Sequence, residues 1–200
     1  MVSIVDYGIG NLLAIRNIIS KVGGNAVITD DPVVIRKSQK LILPGVGAFN
    51  YGMEQLKKKG LIDVLNEEVL MKGKVVLGLC LGAQLITQKS DEGNMPGLGW
   101  IPGRTVRFNS EAGLVIPHMG WAEVEFVKTS PLWKGIDEAR FYFTHSFHFE
   151  LNSTEYITGV CNYGYKFPCS FEYKNIFGVQ FHPEKSHQFG MKFFKNYLDL

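Results

Sequence analysis

Short apolar runs separated by segments of helical spacing fill the first half of the chain. Val2-Ser3-Ile4-Val5-Asp6, Ala26-Val27-Ile28, Leu41-Ile42-Leu43 and Val75-Val76-Leu77 are brief and almost continuously apolar, which is how strands covered on both faces of a sheet read. Between them Leu12, Ile15, Ile19 and Val22 recur at helical spacing until Gly23-Gly24 ends the segment, and two more helical patterns span Phe49–Lys57 and Leu61–Met71. Strands that alternate with helices predict parallel pairing through right-handed crossovers.

Beyond Gln88 the texture changes. A polar loop, Ser90–Asn94, leads to short alternating segments at Thr105–Phe108, Ala122–Val127, Phe141–Phe143, Tyr156–Val160, Cys169–Tyr173 and Ile176–Phe181, divided by glycines and prolines. Such a series reads as antiparallel or mixed strands packed beside the parallel ones. Gln188–Leu198 looks like a closing helix with Phe189, Phe193, Phe194 and Tyr197 on its core face. The expected architecture is α/β, a central and mostly parallel sheet flanked by helices with an additional antiparallel or mixed sheet, in one domain spanning 1–200.

Composition narrows the class. Two hundred residues, 46% of them hydrophobic, can bury one sizeable core, and no repeat or low-complexity linker divides them. Net charge is +2 with both signs interspersed, and a solvated helix face accounts for the longest basic run, Lys57-Lys58-Lys59, so no nucleic-acid footprint is expected. The three cysteines, Cys80, Cys161 and Cys169, are odd in number and lack CxxC spacing. That argues against a disulfide framework or a structural metal site and for a reducing, cytoplasmic setting. No apolar run reaches about 18 residues and no signal-like leader opens the chain, so no membrane segment is expected.

The candidate chemistry centres on Val75–Gln88, where the fourth apolar run meets Gly78-Leu79-Cys80-Leu81-Gly82 and a helix-like pattern. A buried strand that reverses into a helix needs small residues on either side of the turn, and the residue at its apex is strained and pushed out past the strand end. Here that residue is Cys80, with the positive end of a helix beneath it and the Leu81 amide free for an oxyanion. A buried core cysteine is the plainer reading, so a base and an orienter must be found. Ile176–Phe181 ends at His182-Pro183-Glu184, where proline breaks the pairing and lets imidazole and carboxylate leave the strand together. His182 as base and Glu184 as orienter complete a Cys-His-Glu arrangement, against the alternative of an ordinary surface turn. After the third strand, Pro44-Gly45-Val46-Gly47 can turn backbone amides into the same crevice, as a second oxyanion donor or as a plain tight turn. Gly8-Ile9-Gly10 lacks the third glycine and the acidic partner of a dinucleotide fingerprint, and no nucleotide or other cofactor is expected.

Taken together, GLCLGAQ, PGVG, DYGIGN, PHMGW, FYFTHSF and GVQFHPEKS resemble the motifs of class I glutamine amidotransferases, in particular the glutaminase subunits of imidazole glycerol phosphate synthases. The resemblance covers Asp6 to Ser186 and implies a flavodoxin-like sheet. It also implies hydrolysis of L-glutamine to glutamate and ammonia, and ammonia transfer to a partner synthase in a heterodimer. By motif, Cys80 is the nucleophile, His182 and Glu184 complete the triad, and Leu81 with Val46 or Gly47 forms the oxyanion hole. Gln84, Glu92, Ser146 and Phe147 hold the charged end of glutamine, the last two largely through backbone. Asn11, His118, Trp121, Tyr142 and Lys185 lie at the partner interface, although from the residues alone Trp121 and Tyr142 read more readily as core aromatics.

Three positions depart from the family pattern. Ala83 replaces the usual methionine, Ala122 a common asparagine and Phe147 a frequent tyrosine. None touches the triad, but two lie near the partner-facing motifs. An alternative acceptor is therefore a sugar amidotransferase of surface-polysaccharide synthesis. A catalytically silent subunit, or a peptidase or esterase built on the same triad, is the remaining alternative; the intact Cys80, His182 and Glu184, with Gln84 and Glu92 suited to a free amino acid, favour glutamine.

Overall fold

Each apolar run of the first half becomes a strand. β1 (Val2–Val5) pairs in parallel with β2 (Ala26–Thr29) and β3 (Lys40–Leu43), and β3 pairs in parallel with β4 (Val75–Leu79). The structure, a computed structural model, describes residues 1–109 and 113–200. α1 (Leu12–Lys21) joins β1 to β2, capped by the Asn11 side chain, which accepts from the Ala14 N–H at 3.3 Å. A helix not anticipated from spacing, α2 (Pro32–Lys37), joins β2 to β3. Its six residues are too few to display a period, but its local signals are there to read: Asp31 accepts from Val33 N–H at 2.8 Å and Pro32 occupies the first turn. α3 (Phe49–Lys58) and α4 (Leu61–Asn66) follow, and the Leu61–Met71 pattern finishes as a π-helical turn, Glu67–Met71. That turn buries Glu68 between Lys72 and Lys74, at 2.7 and 2.5 Å.

The second half begins with α5 (Leu81–Leu85) and β5 (Lys89–Ser90), then β6 (Gly103–Arg107), β7 (His118–Phe126), β8 (Ala139–His145) and β9 (Phe147–Leu151). β10 (Ile157–Tyr163), β11 (Tyr165–Tyr173), β12 (Ile176–Val179) and α6 (His187–Asp199) complete the chain. β12 returns to pair in parallel with β4, and its other edge starts an antiparallel extension, giving a nine-stranded sheet ordered β2-β1-β3-β4-β12-β11-β10-β7-β8. The additional mixed sheet is present as β5-β6-β9, while the other late strands lengthen the main sheet.

Alternation along the strands feeds two cores, one on each face. Leu77 and Leu79 pack with Ile15, Ile19, Phe193 and Phe194 of α1 and α6. Val76 points the other way, toward Phe49, Leu56, Leu81 and Leu85 of α3 and α5. Each such side chain contributes about 1.5–3 kcal/mol on burial. Phe193, Phe194 and Tyr197 of the closing helix are fully buried as its spacing predicts, and Cys161 and Cys169 lie in the same core. No described helix is long and apolar enough to cross a membrane.

Candidate active site

The carboxyl ends of β3, β4 and β12 lie side by side, with Leu43 opposite Gly78 and Gly78 opposite Gly178. Ligands of open parallel sheets bind beyond such ends. At the central one the chain reverses at Cys80, whose φ of 50° and ψ of −112° put it in sparsely populated backbone space. Glycine is required on both sides: a Cβ on Gly78 would lie 2.6 Å from Ala83 Cα, and one on Gly82 would strike the Leu43 carbonyl oxygen. The apex is pinned by Cys80 N–H donating to Val179 O at 2.8 Å and by Ala83 and Gln84 N–H groups donating to Cys80 O at 3.1 Å. α5 is five residues long, shorter than the apolar pattern suggests, because Thr87 turns its hydroxyl back onto Gln84 O at 2.8 Å. The helix field under Cys80 is correspondingly small.

β12 ends at Val179, before the apolar run does. The chain continues to a single bridge in which His182 N–H donates to Tyr142 O at 2.8 Å, and Pro183–Lys185 then forms a 3₁₀ turn. This turn brings His182 Nδ1 to 2.7 Å from Glu184 Oε1, with side chains 2% and 3% exposed. His182 Nε2 is buried and has no hydrogen-bond partner among the described residues. Burial pushes the imidazole toward its neutral form, but the charge of Cys80 and the Glu184 carboxylate together outweigh it and raise His182 to about 10. The backbone here is clamped by the buried Ser186 hydroxyl, which donates to His182 O at 2.6 Å and accepts from Tyr142 N–H at 3.0 Å.

Outside the elbow lies a cleft of about 410 Å³. Cys80, Leu81, Gln84, Glu92, Val46, Gly47, Ser146 and Phe147 all line it, gathered from four separate stretches of sequence. The Pro44-Gly45-Val46-Gly47 loop starts from a Pro44 carbonyl held by the buried Tyr7 hydroxyl. Gly45 lets it press on the elbow, since a Cβ there would sit 2.6 Å from Gly82 N, and Gly47 has φ of +108°. The N–H groups of Val46, Gly47 and Leu81 bond to no other described residue. Glu92 Oε2 accepts from Phe49 N–H at 2.8 Å, capping α3 where Ala48 offers no side-chain acceptor. Gln84 Nε2 donates to Phe147 O at 3.1 Å and Gln180 Oε1 at 3.0 Å. Ser146 O accepts from Phe108 N–H, and Phe147 O from Gln84 and His145. The Ser146 hydroxyl bonds to no other described residue and is available to the cleft.

Of the residues expected at a partner interface, four reach the surface region and one does not. Trp121 is 41% exposed, stacked on His187 at 5.4 Å, and opposite Tyr142 on the paired strand. Lys185 Nζ lies 5.6 Å above the Tyr142 ring, and Asn11 is exposed at the start of α1. His118 is instead 4% exposed, bonded to His145 at 3.0 Å and stacked between Phe143 and Tyr163. Its side chain is turned into the core rather than toward the surface. Sequence reasoning passed over Tyr7, Gln180 and Ser186, all buried around the site. For Gln180 the available signal was a polar group embedded in an apolar run, which must find a partner when buried; Tyr7, between Asp6 and Gly8, and Ser186, between Lys185 and His187, carry no such signal.

Comparison with known proteins agrees with this geometry. Residues 4–199 match the family model described as glutamine amidotransferase class-I. The chain is 47% identical over 201 residues to imidazole glycerol phosphate synthase subunit HisH 2 of Pseudomonas aeruginosa, covering 100% of both chains. It is 46% identical over 199 residues to the subunit of the same name in Methanococcus maripaludis, covering 99% of this chain and 98% of that one. Among solved structures, PurLQS from Thermotoga maritima superimposes with a TM-score of 0.76 at 17% identity, over 99% of this chain and 97% of the other, a likeness of fold. With the family pattern matched almost from end to end and close relatives aligned along their whole length, this chain belongs to the class I glutamine amidotransferases.

Proposed function

We propose that this chain is the glutaminase subunit of an imidazole glycerol phosphate synthase, cytoplasmic and paired with a cyclase subunit in a heterodimer. The observation that carries the reading is the convergence of Cys80, the His182–Glu184 pair and the cleft-lining Gln84, Glu92 and Ser146 at the ends of adjacent strands. Full-length likeness to subunits named HisH supports the histidine-pathway role.

In this reading Glu92 pairs with the α-ammonium of glutamine and Gln84 helps to seat its charged end. The Cys80 thiolate attacks the carboxamide carbon, forming the C–S bond and a tetrahedral oxyanion. Leu81 N–H, with that of Val46 or Gly47, receives the oxygen; loss of one such donor costs on the order of 3 kcal/mol. His182 Nε2 passes its proton to the departing nitrogen, the C–N bond breaks, and ammonia leaves a thioester. The neutral imidazole then takes a proton from water as the water attacks, and collapse releases glutamate and regenerates the Cys80 thiolate beside an imidazolium. Glu184 holds Nδ1–H throughout, so that Nε2 always faces the reaction. Ammonia then passes to the partner, and the exposed Trp121 and Lys185, with the half-buried Tyr142, suit that face.

Glutamate release by the purified chain, alone and with a cyclase subunit plus its nucleotide ligand, tests the proposal, with Cys80→Ala as the blank. Strong stimulation lost in the variant is expected. Cys80-dependent activity without stimulation would move the partner search to sugar amidotransferases, and no activity under any condition would overturn the reading.

A further inference from the structure

Gln180 interrupts the apolar run Ile176–Phe181 with a carboxamide that is fully buried, a placement that needs hydrogen bonds on both ends of the amide. Its backbone is fixed by N–H donation to Cys169 O at 2.8 Å. Its Nε2 lies 3.6 Å from Cys80 Sγ, and its Oε1 accepts from Gln84 Nε2 at 3.0 Å. We infer that Gln180 is a further catalytic residue of this site, an amide donor that holds the Cys80 thiolate. The inference rests on Cys80 being the nucleophile.

Bonding rules leave the network one orientation. Phe147 O can only accept, so the atoms facing it are His145 Nδ1–H at 2.8 Å and the nitrogen of Gln84 at 3.1 Å. The second N–H of Gln84 then requires an oxygen, which is Gln180 Oε1, and Gln180 is left presenting its nitrogen to sulfur. His145, with Nδ1 donating, offers Nε2 as acceptor to His118 Nδ1 at 3.0 Å. A continuous chain of bonds therefore runs from the buried His118 through Phe147 O and two amides to the nucleophile. The inward-turned His118 thus anchors the far end of this chain, its own tautomer set by His145 Nε2, which must accept.

The chemistry needs such a donor. The sulfur is a thiolate twice per turnover, before attack and again when the acyl group leaves. In the intervening steps His182 first gives its proton to the departing nitrogen and then takes one from the attacking water. A carboxamide N–H titrates with neither and stays on the sulfur through both halves. Because the same carboxamide is bonded to Gln84 in the substrate cleft, occupation of the cleft and orientation of the nucleophile are joined by one hydrogen bond.

The test is the pH dependence of Cys80 alkylation by iodoacetamide, followed by peptide mass with buried Cys161 and Cys169 as internal references, together with kcat and KM for glutamate release. Q180M removes both amide ends. Q180E keeps an acceptor for Gln84 but sets a carboxylate against sulfur. Loss of a hydrogen bond to a charged group shifts the alkylation midpoint up by about one pH unit, a roughly tenfold slower reaction below it, with a comparable fall in kcat. Q180E should shift further. Profiles in both variants that superimpose on that of the unaltered protein, even with a raised KM, would make Gln180 only a prop for Gln84 and overturn the inference. If Q180M does not fold, Q84M, which frees the Gln180 amide to turn, is expected to raise the midpoint as well, and an unmoved midpoint there overturns it equally. Failure of the unaltered protein to release glutamate would count against the glutaminase reading, whereas the alkylation comparison decides the Gln180 contact without any substrate.

Discussion

Replacing Glu184 by glutamine tests the orienting role at one atom's cost in shape. In the native site Glu184 Oε1 is 2.7 Å from His182 Nδ1, both side chains are buried, and Oε2 is buried without a partner among the described residues. A glutamine can enter this space in two ways. With its oxygen on Nδ1–H the imidazole keeps its tautomer, but the NH₂ group falls where Oε2 was and finds nothing to bond, a cost of about 1–3 kcal/mol. The charge-assisted part of the bond is lost as well, about 1.5–3 kcal/mol, so catalysis falls roughly ten- to hundredfold. With its nitrogen on Nδ1 the NH₂ group has an acceptor, but the imidazole must carry its proton on Nε2, and Cys80 loses its base; that tautomer error costs on the order of 10⁴ in other triads. The expected result in E184Q is a fall of kcat/KM by about 10–10⁴, with a lower His182 pKa because one of the groups raising it is gone. Steady-state glutamate release and the pH profile of Cys80 alkylation measure both. A kcat/KM within about threefold of the parent protein would refute the argument that Glu184 sets the imidazole.

Other consequences are open to direct measurement. Gly82→Ala drives a methyl group into the Leu43 carbonyl; thermal melting should show a loss of about 3 kcal/mol, and an unchanged Tm would mean the elbow can open. Burial lowers His118 to about 4 and His145 to about 3. Their neutral forms therefore favour the folded state fully above the ordinary value near 6.5. That contribution is lost as pH falls toward 3, by at most about 1.4 kcal/mol per pH unit for each residue. Denaturant titrations from pH 7 to 4 should show H118F flatter than the parent, and parallel curves would contradict a buried, neutral His118. Trp121→Ala should leave the glutaminase activity of the isolated chain intact and weaken cyclase binding at least tenfold, as loss of a central aromatic anchor does. Titration calorimetry with unchanged affinity would remove Trp121 from the interface.

Much of the site was legible because its parts are local. The glycines flanking Cys80 are demanded by a turn only five residues long, and Pro183 fixes where imidazole and carboxylate leave the strand. The boundaries that drifted did so where the ending is set by another segment. Ile176–Phe181 reads as one apolar run, yet the regular strand stops at Val179, and beyond it His182 turns to a single bridge with Tyr142 on another strand. β9 (Phe147–Leu151) escapes the pattern because its histidine and glutamate break the apolar run, although His148 is buried through its bond to the Tyr165 hydroxyl at 2.9 Å.

By itself, then, the sequence determined which segments are buried strands, which turn must be glycine-lined, and which residue types stand at three strand ends. These follow from hydrophobic period and backbone sterics, which act within a few residues. Only the tertiary structure decided that β12 pairs beside β4, which puts His182 next to Cys80 across a hundred residues of chain. It also decided that most late strands extend one sheet, that His118 faces inward, and that Glu92 caps α3 while lining the cleft. Pairing partners and burial are properties of the whole packed chain. A period tells which side of a strand is apolar, and only packing determines what that side meets.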